Sequence, residues 1–212
     1  MCWSATADLV AGTAIGAIGV VCVARARRAR DLPLAALPLL LGAHQIVESV
    51  LWRAGGGTGP ATVAWAVIAL TVLPLWLPIG VLLAVRPAGR ARLAVPLAAG
   101  LVTTAVLAHS LATRTVTAEI RGRTVGYLLD LPHPPLIVTG YLLATVGALL
   151  LSGDPVLRLL GAVAGIGAGV CALLWRAEFV STWCALAAVA SVVVLVWVRR
   201  GPRVPAVRAG SG

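Results

Sequence analysis

Apolar runs recur along almost the whole chain, near 9–24, 34–52, 61–85, 92–112, 135–151, 155–175 and 180–198, parted by short stretches marked by arginine, glycine and proline. About 20 apolar residues cross a bilayer as a helix, and in hydrocarbon a segment must satisfy its own backbone N–H and C=O groups. The pattern predicts an all-α integral membrane protein, a bundle of about seven transmembrane helices. Composition agrees, since 60% of the residues are hydrophobic and 11% charged, outside the range of soluble globular domains. Seven crossings and short loops use up the 212 residues, so residues 1–200 are expected to form a single transmembrane domain. The segment 201–212, with Pro202, Pro205 and small residues, is expected to be a disordered tail. Only Ser152, Gly153 and Asp154 part the fifth and sixth runs, where one re-entrant hairpin is the alternative to two crossings.

Positive charge is retained on the cytoplasmic side of short loops. The chain has seventeen basic residues, all arginine. An external amino terminus puts twelve of them inside (Arg25, Arg27, Arg28, Arg30, Arg86, Arg90, Arg92, Arg158, Arg199, Arg200, Arg203 and Arg208) and leaves Arg53, Arg114, Arg121, Arg123 and Arg176 outside. The expected location is the cell membrane, carboxyl terminus in the cytoplasm. The formal charge of +10 does not indicate nucleic acid, because the arginines form short clusters at helix ends rather than a patch interleaved with aromatics; contact with anionic lipid headgroups is a secondary expectation. The first run is not a cleavable signal, since its basic cluster follows the run and Asp8 precedes it.

Gly12 with Gly16, and Gly161 with Gly165 and Gly169, have the four-residue spacing that lets helices touch, either within the bundle or in a dimer. Pro74 and Pro78, flanking Trp76, are expected to bend the third span and free backbone carbonyls. The four cysteines, Cys2, Cys22, Cys171 and Cys184, lack zinc-site spacing; no metal or other cofactor is expected. Cys2, Cys171 and Cys184 fall toward the outer side, where a disulfide persists, and Cys22 toward the cytoplasm.

The chemistry is expected among the seven acidic residues. An ionisable group at membrane depth is costly unless paired, neutralised or hydrated, which makes it a functional candidate. Glu48 is the foremost one, and helical spacing puts His44, Glu48 and Trp52 on one stripe. Glu178, with Trp175 and Trp183 nearby, repeats the combination at the start of the seventh run; there the alternative is an interfacial tryptophan belt with Glu178 paired to Arg176. Asp8, Glu119 and Asp130 are expected in or near external segments. In the only long loop, Thr113 to Pro134, Val116–Tyr127 alternates apolar and polar residues around Gly122, a hairpin signal. Such a flap would cover the outer mouth, with Tyr127, Asp130 and His133 available to it.

The opening Met1-Cys2-Trp3-Ser4-Ala5, the Gln45-x-x-Glu48 helix ending in Trp52, the hairpin ending in Tyr127 and the late Trp183-Cys184 together resemble a family of small bacterial multi-pass membrane proteins of unknown function. Trp3 stands where that family has Phe, and Ser49 where it has Gly. In size, helix count and helix-borne carboxylates the chain also resembles small membrane-bound terpene cyclases. That resemblance implies a lipophilic prenylated substrate, Glu48 as proton donor, Glu178 or Asp130 as a second acid or base, and a pocket of His44, Trp52, Trp175, Tyr127 and Trp183. A desolvated carboxylic acid can carry a proton at neutral pH, and indole faces stabilise carbocations. Two other classes stay open: a zinc hydrolase using His44, Glu48, His109 and His133, and a non-enzymatic transporter, sensor or assembly factor.

Overall fold

The computed structural model describes residues 4–174 and 186–200. The first helix, α1 (Ala5–Arg25), begins at Ser4, whose hydroxyl accepts the Ala7 amide at 3.2 Å, the usual way a serine satisfies an orphan N–H at a helix start. After a 3₁₀ turn (Ala29–Asp31) come α2 (Leu32–Ala35) and α3 (Leu37–Arg53), then α4 (Pro60–Ala66), a π-helical stretch (Val67–Val72) and α5 (Leu73–Ala84). A second 3₁₀ stretch (Pro87–Leu93) leads into α6 (Ala94–Thr113), which is followed by strands β1 (Thr117–Arg121) and β2 (Thr124–Leu128). The fifth apolar run holds α7 (Pro134–Leu142), a π stretch (Leu143–Gly147) and α8 (Ala148–Leu151); α9 (Pro155–Leu174) and α10 (Ala187–Arg200) complete the described chain.

Among the described residues, six helical segments are long and apolar enough to cross a membrane: Ala5–Arg25, Ala29–Arg53, Pro60–Ala84, Pro87–Thr113, Pro134–Leu151 and Pro155–Leu173. The fifth and sixth runs are two helical segments, Pro134–Leu151 and Pro155–Leu173, parted at Gly153, each long enough to cross a membrane. The start of the seventh run and the tail fall outside the described residues. Large apolar side chains face outward, among them Leu136 at 71% and Leu173 at 78% exposure; such a surface suits lipid, since a water-facing protein keeps its exposed apolar patches small.

Glycine brings α1 against α3. A Cβ at Gly42 would stand 2.8 Å from the Gly12 carbonyl oxygen and 2.8 Å from the Gly16 amide nitrogen, and one at Gly19 would stand 2.6 Å from the Leu39 amide nitrogen. Gly12 and Gly42 therefore serve packing inside the chain, the close approach that small residues allow when lipid supplies no hydrophobic drive between helices. Gly161 abuts Leu149 in the same manner, whereas Gly169 meets nothing within 4 Å.

The third span is π-helical from Val67 to Val72, directly before Pro74. Neighbouring helices take up its loosened carbonyls: Tyr141 Oη donates to Ala69 O at 2.7 Å and Thr104 Oγ1 to Thr71 O at 3.1 Å. Trp76 Nε1 donates to Pro33 O at 2.8 Å. Proline is tolerated in such helices because side chains re-satisfy the freed backbone. Gly100 lies directly over Pro74 O, a contact that leaves no room for a side chain.

The predicted hairpin is present, with Ile120 opposite Val125 and Ala118 opposite Tyr127. Val116, Ala118 and Val125 point inward, while Arg121 pairs with Glu119 at 2.9 Å on the outer face. The 20-residue α6 separates the hairpin from the arginines near 86–92 by about 30 Å at 1.5 Å per residue.

Candidate functional site

Glu48 is completely buried on α3. Two groups from outside its helix donate to its carboxyl: Trp65 Nε1 to Oε2 at 3.3 Å and Tyr127 Oη to Oε1 at 3.5 Å. Both are long for hydrogen bonds, so orientation contributes more than bond strength. The indole of Trp65 and the phenol of Tyr127 stack with centroids 3.4 Å apart and planes 9° from parallel. His44, one turn before Glu48 and 1% exposed, meets the Trp65 ring edge-on at 4.8 Å and 86°. A buried carboxyl, imidazole and indole thus meet the partly buried phenol of Tyr127 in one cluster.

The loop between α3 and α4 assembles this group. Gly55, Gly56 and Gly57 all have positive φ, 75°, 81° and 89°, a region costly for residues with a Cβ. Glu48 lies a little over two turns before this turn and Trp65 a little over two turns after it, so an antiparallel helical pair sets them at one depth. Gly57 also forms a two-way backbone bridge to the hairpin, its amide donating to Ala118 O at 2.8 Å and its carbonyl accepting from Ala118 N at 3.0 Å. Ala118 is the partner of Tyr127 across the hairpin, and this single bridge delivers the phenol to Glu48. A Cβ on Gly56 would stand 2.6 Å from Ala118 O. Gly56→Val is accordingly expected to release the hairpin: trypsin should cut at the exposed Arg121 and Arg123 about tenfold faster, for a local loss of about 1.4 kcal/mol. An unchanged digestion rate would contradict the bridge.

The other residues read from the sequence fall in different places. Asp130 is exposed, its side chain at 88%, and pairs with Arg114 at 2.8 Å across the hairpin base; it is not among the groups around Glu48. Trp52 packs against the cluster of Leu51, Ala118 and Val125 under the hairpin. His109 and His133 are exposed, so the four residues of the zinc reading are not brought together, and no group of three or more metal-ligating side chains occurs among the described residues. Trp175, Glu178, Trp183, Cys2 and Cys184 lie outside the described residues; Cys22 and Cys171 are buried free thiols.

Two residues of the region escape a reading of the sequence. Trp65 carries no motif, and only its equal offset from the triglycine turn marks it. Asp8, expected in or near an external segment, is fully buried in the first turn of α1, a burial that no motif marks. It lies close enough to Trp52 to interact across the α1–α3 contact, but among the described residues neither its carboxyl oxygens nor Trp52 Nε1 makes a hydrogen bond of normal geometry. A position near a positive helix end favours such a carboxyl.

Nothing among curated proteins or solved structures matches this chain. The likeness to terpene cyclases therefore finds no support there. A family model described as "Family of unknown function (DUF6629)" matches residues 1–209. The expected likeness to a small family without an assigned activity is thus shown over residues 1–209, and the chain belongs to the DUF6629 family of unknown function.

Proposed function

We propose that this protein resides in the cell membrane, with the hairpin end outside and the arginine-rich end in the cytoplasm, and that its Glu48 site performs acid–base chemistry on a lipophilic small molecule. The observation that carries the proposal is the fully buried Glu48 carboxyl, held by an indole N–H and a phenol O–H beneath stacked aromatic rings. A carboxylic acid kept from water can donate a proton to a weakly basic centre, and the same dryness protects a cation that water would quench.

An apolar recess of about 120 Å³ lies one turn deeper in the bundle, walled by Leu41, Ala69, Leu73, Tyr141, Leu160 and Ala190. Its place below His44 and Trp65 suits the hydrocarbon end of a substrate whose reacting group reaches Glu48. In the sharpest form the substrate is prenylated. The Glu48 proton adds to an alkene or epoxide, a second double bond closes on the resulting cation, and the product loses a proton to the Glu48 carboxylate or to His44, giving a cyclic isomer. Trp65 and Tyr127 are the aromatic faces nearest that cation. Substrate access requires the Tyr127 ring to leave Trp65, which the hairpin can do as a unit.

The tightness of the same stack favours a second, non-enzymatic reading, in which the cluster pins the hairpin to the bundle and carries no chemistry. Purified protein incubated with farnesylated or geranylated acceptors separates the two. A cyclic isomer formed by the wild type and absent with Glu48→Gln supports catalysis. Absence of any cyclic isomer from the wild type overturns the cyclase form.

A further inference from the structure

At the end of the bundle away from the hairpin, a recess of about 580 Å³ opens between the turns after α1 and α5, the turn before α9 and the end of α10. Arg27, Arg28, Arg86, Arg92 and Arg200 line it, over an apolar wall that includes Val85, Leu157 and Trp197. We propose that this recess binds a phosphate-bearing anion.

Charge inside the recess is unbalanced. Its two acids are Asp31 and Asp154, and each is engaged within the protein. Asp31 accepts Arg28 Nε at 2.6 Å and Arg28 Nη2 at 2.9 Å, while Asp154 Oδ1 accepts the amides of Val156 at 2.8 Å and Leu157 at 3.2 Å at the start of α9. Arg27, Arg92 and Arg200 make no hydrogen bond or ion pair with the protein among the described residues. The backbone also makes room for Arg92: its guanidinium stands 3.7 Å from where a Cβ on Gly89 would lie and 3.8 Å from one on Gly153, a residue with φ of +75°.

Retention of positive charge on one side explains why arginines gather at this end. It does not explain why some converge on a cavity while Arg30 and Arg90, at the same end, stay outside it. Guanidinium forks match phosphate oxygens two at a time, and the apolar wall beneath them suits the glycerol and first methylenes of a lipid. A lipid headgroup and a free phosphate share this chemistry, and the test separates them.

The protein in neutral detergent is titrated with pyrophosphate, and in nanodiscs with phosphatidic acid against phosphatidylcholine, with binding read by native mass spectrometry. Wild type is expected to retain one of the two phosphate ligands. Retention of phosphatidic acid alone identifies a lipid site, and retention of pyrophosphate alone a soluble ligand. Arg27→Gln with Arg92→Gln is expected to weaken binding about tenfold, and Arg30→Gln with Arg90→Gln, an equal change in charge, less than about twofold. Failure of wild type to bind either probe, or equal losses in the two double variants, overturns the proposal.

Discussion

Replacing Gly42 by leucine is expected to leave little folded protein after detergent extraction. Any Cβ there stands 2.8 Å from backbone atoms of Gly12 and Gly16, and backbone cannot rotate aside as a flexible side chain can. Separating α1 from α3 forfeits the close packing that holds them. Overpacking of a tight contact costs about 3 kcal/mol, which for a chain of this size lowers the thermal midpoint by about 6–12 °C. Gly16→Ala is the control. Its own Cβ would meet nothing within 4 Å, so it should be neutral or slightly stabilising through better helix propensity. Equal losses for the two variants, measured by midpoint and size-exclusion profile, would contradict the described α1–α3 contact.

The second large effect is expected at Glu48. Glu48→Leu removes the acceptor of both the Trp65 indole N–H and the Tyr127 hydroxyl, and a buried donor left without a partner costs about 1–3 kcal/mol. A loss of about 2 kcal/mol is therefore expected, chiefly from the fully buried Trp65 donor. Glu48→Gln keeps one acceptor oxygen and the side-chain volume, and should cost less than half as much. The comparison also separates the two functional readings. A structural pin tolerates glutamine in every assay, whereas an acid–base site with glutamine folds and is inactive.

Much of this architecture is legible in the sequence because its cause is local. Apolar runs of bilayer length dictate helices whatever they pack against, and the alternation of apolar and polar residues around Gly122 is enough to mark the hairpin. Glu48 stands out because a carboxylate inside such a run demands a reason. The partners of Glu48 are less legible, since they depend on long-range geometry. Trp65 is 17 residues away and Tyr127 79 residues away; the glycine turn at Gly55–Gly57 with its bridge to Ala118, and the packing of Val116 and Tyr127 against the Trp65 cluster, bring them together. Helical spacing puts His44, Glu48 and Trp52 on one face, yet a single turn of helix sends Trp52 under the hairpin while His44 meets Trp65. Nothing local in the sequence marks Asp8 as buried, since its burial in the first turn of α1 depends on tertiary packing.

The central claim is that Glu48 is sealed inside the bundle by the Tyr127–Trp65 stack. A hydrophobic carbodiimide, with modified carboxyls mapped by peptide mass spectrometry, tests it most directly. The expected result is slow modification of Glu48 in the wild type, well behind the exposed Asp130 and Glu119, and rapid modification in Tyr127→Ala. Wild-type Glu48 reacting as fast as Asp130, or at the same rate with and without the Tyr127 ring, would contradict it.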